Sequence, residues 1–365
     1  MHTFKKLRFL FVFLFATILF GQKSNAQDTI KVQDKIFRLS EISGQYFISA
    51  NYSENDDINK MELKRGYFTI KTNINKVLSA RYTQDITLDQ EGGDAGNIEM
   101  RMKYLYLQAN VHFLKKYQDG HFIMGMAPRP WIDFEQKVNQ YRVQSKMFIE
   151  NAKIMSSADF GIMYEGLIGG KVDEEYQENV SSAYPGKYGS FSFGVYNGGG
   201  YHATEQNNNK TVEGRLSLRP FPKFMPGFQA SYAFAFGKAN LPENLSDFKM
   251  HLLYLSSESK YHVLAAQYYY GIGDTEGKYV NSRLQSQINE GYSVFGEIKI
   301  PKSNFSVVGR YDYFTSELSP DLKQTNIFGG IAYHFQKNKL MLNYEYEELP
   351  STIDHIYEIA LEIKF

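Results

Sequence analysis

The feature that most constrains this chain is an alternation of apolar and polar residues that recurs from about residue 44 to residue 365. The last nine residues, YEIALEIKF, put Tyr357, Ile359, Leu361, Ile363 and Phe365 in one phase and Glu358, Ala360, Glu362 and Lys364 in the other. Side chains on a strand point alternately to its two faces, so the segment has one apolar and one polar face. The same reading holds for 340–348, 326–336, 305–313, 228–236 and 212–219. In 305–313, for example, Phe305, Val307, Tyr311 and Tyr313 oppose Ser306, Arg310 and Asp312. Along the whole chain the pattern predicts about sixteen strands of roughly 9–12 residues, the length a tilted membrane strand needs. The predicted fold class is all-β, a transmembrane antiparallel up-and-down β-barrel. A soluble sandwich would bury its apolar faces, and the aromatic face here is too long and too uniform for that.

Composition agrees. Aromatic residues make up 16% of the chain, with 28 Tyr, 28 Phe and one Trp. A ring with a polar tip suits a lipid–water boundary better than a soluble core. Because lipid cannot satisfy an open sheet edge, the last strand must pair with the first. One strand reads badly. In 98–112, Arg101 and Lys103 share one phase while Gln108 and Asn110 share the other, which a bulge or a covering subunit would explain.

Residues 1–26 have Lys5, Lys6 and Arg8, then an apolar run of about a dozen residues, then small residues up to Ala26. This is the layout of a signal peptide, and the run is too short to span a bilayer as a helix. The domains predicted are therefore 1–26 signal peptide, 27–43 short periplasmic segment and 44–365 barrel. Cysteine is absent, which excludes disulfides and thiolate metal sites. Residues 1–26 hold four of the 40 bases and none of the 40 acids, so the remainder carries a net charge of −4. That balance argues against a nucleic-acid partner. Short links at 73–76, 301–304 and 336–338 alternate with long polar ones at 89–97, 198–210, 273–290 and 317–325, as in a meander with periplasmic turns and external loops. The link 171–188 is long where a short turn is due and reads as an insertion.

About sixteen strands enclose a water-filled lumen, so function depends on what narrows it. The alternation disappears over 129–157, the third external loop, which is predicted to fold inward as a constriction. Asp133 with Gln136 reads as a helix cap and capping box. On a helical wheel Phe134, Val138, Tyr141 and Phe148 share one side, and Glu135, Asn139, Arg142, Lys146, Glu150 and Lys153 the other. Five bases, Arg129, Lys137, Arg142, Lys146 and Lys153, meet three acids, Asp133, Glu135 and Glu150. A cationic constriction concentrates anions, although a folded loop with internally paired charges would read the same way. The wall is mixed. Its inward phase carries Arg65, Lys71, Arg81, Arg215, Arg219 and Arg310 with Asp85, Glu213, Asp312, Glu345, Glu347 and Glu362.

Other motifs carry less. Asp89, Glu91 and Asp94 could hold calcium, but their spacing is not that of an EF-hand and reads as a solvated loop. The run NGGGY at 197–201 lacks the Lys-Ser/Thr of a phosphate-binding loop. The histidines have no metal-ligand spacing, and no metal or other cofactor is expected.

The segments MGMAPRPWIDFEQKVNQYRVQSKMFIENAKIMSSADFG (124–161), FGVYNGGGYHATEQNNNKTVEGRLSLRPFP (193–222) and MPGFQASYAFAFG (225–237) resemble the phosphate-selective porin O/P type of Gram-negative outer-membrane porins. The resemblance implies a sixteen-stranded barrel in the cell outer membrane, often trimeric, with the third external loop folded inward. It implies passive diffusion of small hydrophilic or anionic solutes and no enzymatic activity. Phosphate selectivity in such porins goes with a dense Arg and Lys ladder, whereas here bases and acids are interleaved. The strand ending in Tyr357 to Phe365 also resembles the C-terminal signal by which outer-membrane barrels are recognised for insertion. A plugged barrel serving as a scaffold is the alternative reading, and a barrel-embedded hydrolase a third.

Overall fold

In a computed structural model, residues 40–88, 96–111, 119–243, 245–318 and 322–365 are described. The signal peptide, most of the 27–43 segment and the acidic loop with Asp89, Glu91 and Asp94 lie outside them.

Sixteen strands follow one another: β1 (Ser40–Ser53), β2 (Ile58–Asn73), β3 (Leu78–Leu88), β4 (Ile98–Asn110), β5 (His121–Pro128), β6 (Ala158–Ile168), β7 (Gly189–Tyr196) and β8 (Thr211–Leu218). The second half comprises β9 (Phe228–Lys238), β10 (Asp247–Glu258), β11 (His262–Ile272), β12 (Ile288–Lys299), β13 (Phe305–Ser316), β14 (Lys323–Phe335), β15 (Asn338–Leu349) and β16 (Thr352–Lys364). Each pairs with its neighbours in the chain, and β16 returns to β1 to close the barrel. At the seam Gln45 faces Lys364 and Ser53 faces Ile356. The backbones of Gly44 and Phe365 exchange hydrogen bonds of 3.0 and 3.1 Å. A side chain at position 44 would meet the far end of the Phe365 ring at 2.3 Å, so glycine lets that ring lie over the seam.

The alternation points as expected. Leu253, Leu255, Val307, Ile331, Leu342 and Ile359 are each half or more exposed on the outer surface. Such a continuous apolar exterior has no stable place in water and is the lipid face of a membrane barrel. Aromatic contacts cross the strands there: Tyr292 lies 5.7 and 5.3 Å from Tyr311 and Tyr313, and Phe305 lies 5.0 Å from Tyr333. Rings of this kind border the apolar band.

Two differences from the sequence reading have local causes. The ladders of β2 and β16 run beyond the alternating stretches, to Ile58 and Thr352. Backbone pairing continues past the membrane edge, where no face needs to be apolar. In β4 the register against β3 shifts between Thr83 and Gln84, whose partners are Tyr104 and Met102. Lys103 is the extra residue of a β-bulge, so Lys103 and Tyr104 are both buried, at 3% and 5% exposure. The bulge accounts for the broken phase of 98–112.

Both chain ends of the barrel lie at one rim. The opposite rim carries the long connections, but also two short ones, 54–57 and 350–351. The irregular link after β6 contains a helix of Glu174–Asn179, and within it Lys171 and Gly186 form an isolated antiparallel bridge.

Candidate functional site: the segment crossing the barrel

The segment after β5 leaves the wall and contacts inward-facing side chains around much of the circumference. It begins with α1 (Pro130–Val138) and ends with α2 (Phe148–Asn151). Helix α1 is capped by Arg129, not Asp133, and Pro130 takes the first turn, where a missing N–H costs nothing. The capping box expected at Asp133 and Gln136 does not form. The Asp133 carboxylate instead accepts from Tyr184 Oη at 2.6 Å.

Trp131, Ile132, Phe134 and Val138 are buried against the wall, with Trp131 edge-on to Tyr254 at 5.0 Å. Arg215 lies over the Phe134 ring at 4.4 Å and the Tyr184 ring at 4.5 Å, joining the segment, the wall and the 169–188 link. Beyond α1, Lys339 Nζ donates to the Gln140 carbonyl at 2.5 Å and Tyr141 Oη donates to Glu297 at 2.6 Å. Lys64 donates to the Gln144 carbonyl and to Glu358, each at 2.7 Å. Arg310 donates to the Lys146 carbonyl at 2.7 Å. Phe148 occupies the room left by Gly291, where a Cβ would come within 2.7 Å of it. Tyr279 and the Thr275 amide hold the carbonyls of Ala152 and Ile154 at 2.7 and 3.0 Å.

The site residues named from sequence divide into three groups. Arg129 is fully buried and paired with Asp159 at 2.8 Å and Glu213 at 2.9 Å, so it roots the segment and does not line the passage. Arg215 and Arg219 are likewise buried, and Arg310 is paired with Asp312. Glu135, placed by the helical wheel on the solute side, is buried and accepts from Gln267 Nε2 at 2.5 Å. A third group does face open space. A cavity of about 450 Å³ between the segment and β1–β4 is lined by Lys71, Arg81, Lys103, Lys137, Arg142, Lys337 and Lys364 against one acid, Asp133. Arg81 touches Thr83 and the Tyr104 ring, and Lys103 touches the Tyr67 hydroxyl and ring, not carboxylates. Arg65 is paired with Asp85 at 3.0 Å. Lys153 and Glu347 line a smaller space of about 160 Å³ beside β13–β15, where the wall is acidic. The Glu345 carboxylate holds Asn326 at 2.5 Å. Lys146 is exposed beside Ser145, and its carbonyl is the acceptor of Arg310.

The inward lining carries both signs, and many of its charges are paired, Lys64 with Glu358, Arg65 with Asp85 and Lys339 with Glu362. Of the bases lining the larger cavity, Arg142 is paired with Glu150 at 2.5 Å and Lys364 with Glu362 at 2.6 Å, whereas among the described residues Lys71, Arg81, Lys103, Lys137 and Lys337 have no carboxylate within ion-pair distance. Glu345, Glu347 and Glu358 lie on β15 and β16, on the other side of β1 from β2, and Glu358 is paired with Lys64 of β2 at 2.7 Å; Glu297 lies on β12. Sequence reasoning missed Lys103, because the bulge reverses its phase, and Tyr67 and Tyr184, whose roles depend on tertiary contacts. The sequence signal for Lys103 was the phase break itself.

Burial pushes the Glu135 carboxyl up to about 7, only partly opposed by Arg310. Among the described residues, its Oε2 and the Oε1 of Gln267 have no hydrogen-bond partner, as suits a neutral acid lying against an amide. A raised pKa favours the folded segment below the ordinary value of 4.5, and that advantage is lost as pH rises towards 7. Replacing Glu135 with Gln should therefore stabilise the protein by about 1–3 kcal/mol at pH 8 and by much less at pH 4.5. Urea unfolding in detergent micelles at the two pH values measures this; equal effects at both would show that Glu135 is not neutral in the fold.

Near the rim with the chain ends, His334 Nε2 lies 3.0 Å from Ser306 Oγ and 3.5 Å from Glu297 Oε1. A catalytic relay uses opposite ring nitrogens for serine and acid, whereas here one nitrogen meets both. Among the described residues no cluster of three or more metal-ligating side chains is found.

This closed sixteen-stranded barrel, apolar outside and crossed by the third connection of its loop-bearing rim, has the fold of the outer-membrane porins. Among solved structures it is similar to the anion-selective porin from Comamonas acidovorans (TM-score 0.59, 10% identity), covering 89% of this chain and 99% of that one. It is also similar to the Salmonella typhi OmpF complex with daunomycin (TM-score 0.60, 13% identity, 89% and 97% covered). A third likeness is to the trimer form of in-vitro folded OmpT of Vibrio cholerae (TM-score 0.57, 11% identity, 89% and 99% covered). No family profile and no curated protein sequence matches the chain.

Proposed function

We propose that this protein is an outer-membrane porin for small hydrophilic solutes, with a preference for anions. The observation that carries the reading is the cavity beside β1–β4, where seven bases, two of them paired with Glu150 and Glu362 behind the lining, face one lining acid. An excess of positive charge in a narrow, low-dielectric passage raises the local anion concentration. The anion-selective porin among the similar folds is consistent with this, and the trimeric one supports a homotrimer as the assembly. No catalytic role is assigned. Phosphate as the preferred anion would need a base ladder along the whole lumen, and the acidic wall of β12–β16 interrupts it.

The test is the reversal potential of purified protein in a planar bilayer across a salt gradient. The wild type should pass anions over cations by a factor on the order of 3–10, and R142A/K146A should weaken that preference. Open steps without preference would keep the porin and remove the selectivity. The contacts of the crossing segment with strands from β2 to β15 favour one rival, a plugged barrel acting as a scaffold; it predicts no steps at all.

A further inference from the structure

One acidic side chain of the crossing segment is held as a ligand would be. Glu150 accepts from Arg142 Nη1 at 2.5 Å and from Gln136 Nε2 at 3.1 Å. Arg142 also donates to Tyr67 Oη at 3.0 Å, and Lys103 Nζ lies 3.3 Å from the same oxygen and 4.6 Å above the Tyr67 ring. The Arg142 and Glu150 side chains are 9% and 7% exposed. Burial pushes the Glu150 carboxyl up, but Arg142, followed by Lys103, Arg65 and Lys146, outweighs it and holds it at about 2. The carboxylate is therefore charged throughout the physiological range.

Its position relative to open space gives the arrangement a use. Gln136, Arg142, Lys103 and Tyr67 all line the 450 Å³ cavity, whereas Glu150 does not. The carboxylate sits behind the groups that line the cavity and takes up hydrogen-bonding capacity that would otherwise be offered to it. A pair serving only to hold the segment would not need a second buried base, and Lys103 is brought there by a bulge. The Tyr104 ring, with Arg81 at 4.5 Å from its centroid, adds an apolar surface to the same wall.

We propose that Arg142, Gln136, Lys103 and Tyr67 form a binding site for the carboxylate of a small organic acid, and that Glu150 is its resident occupant. A solute arriving from the cavity takes the place of Glu150 on Arg142, whose planar fork matches any carboxylate, and Glu150 returns when the solute leaves. No bond other than hydrogen bonds changes. An internal competitor weakens apparent affinity in proportion to the fraction of time the site is filled. Weak binding is what passage requires, since a solute must enter a selective site and also leave it. The passage of the solute rests on the porin reading; the binding does not.

Acetate is the probe. It is titrated calorimetrically into purified protein in detergent and, separately, used to block chloride current in a planar bilayer. With Glu150 resident about nine-tenths of the time, Glu150→Gln should tighten binding and lower the half-blocking concentration by about tenfold. Arg142→Gln should abolish both responses. Unchanged or weaker acetate binding in Glu150→Gln would overturn the site. Tightened binding without current steps would keep the site and sink the porin, whereas steps without any acetate response would do the reverse. Should Glu150→Gln fail to fold, Glu150→Asp shortens the occupant by one methylene and should tighten binding to a smaller extent; no change would equally overturn the proposal.

Discussion

Exchanging Arg129 for Met should cost about 3–5 kcal/mol of stability, because it leaves two buried carboxylates without their counter-charge. Asp159 and Glu213 are 1% and 2% exposed, and both depend on this guanidinium. Arg129 further donates to the Gly198 carbonyl at 3.1 Å, and the Gly198 amide donates to Asp159 at 2.6 Å, so the loss would spread to the link after β7. The triple variant R129M/D159N/E213Q removes the orphaned charges as well and should recover most of the loss. Urea midpoints of the variants in detergent micelles decide the matter. A single variant as stable as the wild type would show that the triad contributes nothing.

The second large effect should come from the link between β6 and β7. Lys171 and Gly186 are already bridged, and the Val172 amide reaches the Pro185 carbonyl at 2.8 Å. A two-residue hairpin can therefore replace 172–185 without disturbing the wall. The exchange removes Tyr184, which holds Asp133 at 2.6 Å and packs on Phe134 at 5.2 Å. The barrel should still fold, since every wall ladder remains. Helix α1 should lose its support from below, and single-channel conductance should rise about twofold with more current noise, as expected when a constriction loosens. Conductance identical to wild type would mean that the link does not brace the segment.

The barrel was legible in the sequence because lipid imposes one rule on every strand: Tyr357, Ile359 and Leu361 must face out and Glu358 and Glu362 in. The rule has no authority beyond the membrane, so the ends of β2 and β16 were underestimated. Nor does it apply to the segment after β5. There Glu135 and Arg129 look like solute-facing charges until their partners are known, and those partners lie 132 and 30 residues away. Lys103 shows the intermediate case. The phase break flagged a bulge, but only the register against β3 reveals that the extra residue points inward.

The seam between β1 and β16 has a consequence for how such a molecule can be made. Fifteen pairings join strands consecutive in the chain and can form by local zipping. The sixteenth brings together residues such as Ser53 and Asp354, 301 positions apart. By loop-closure entropy alone, joining ends so distant costs about 3 kcal/mol more than closing a ten-residue hairpin. The curled sheet must therefore exist, with both edge strands unpaired, before its final row of hydrogen bonds can form. During that interval β1 and β16 are templates for any other strand. Both edges disappear only when Gly44 meets Phe365.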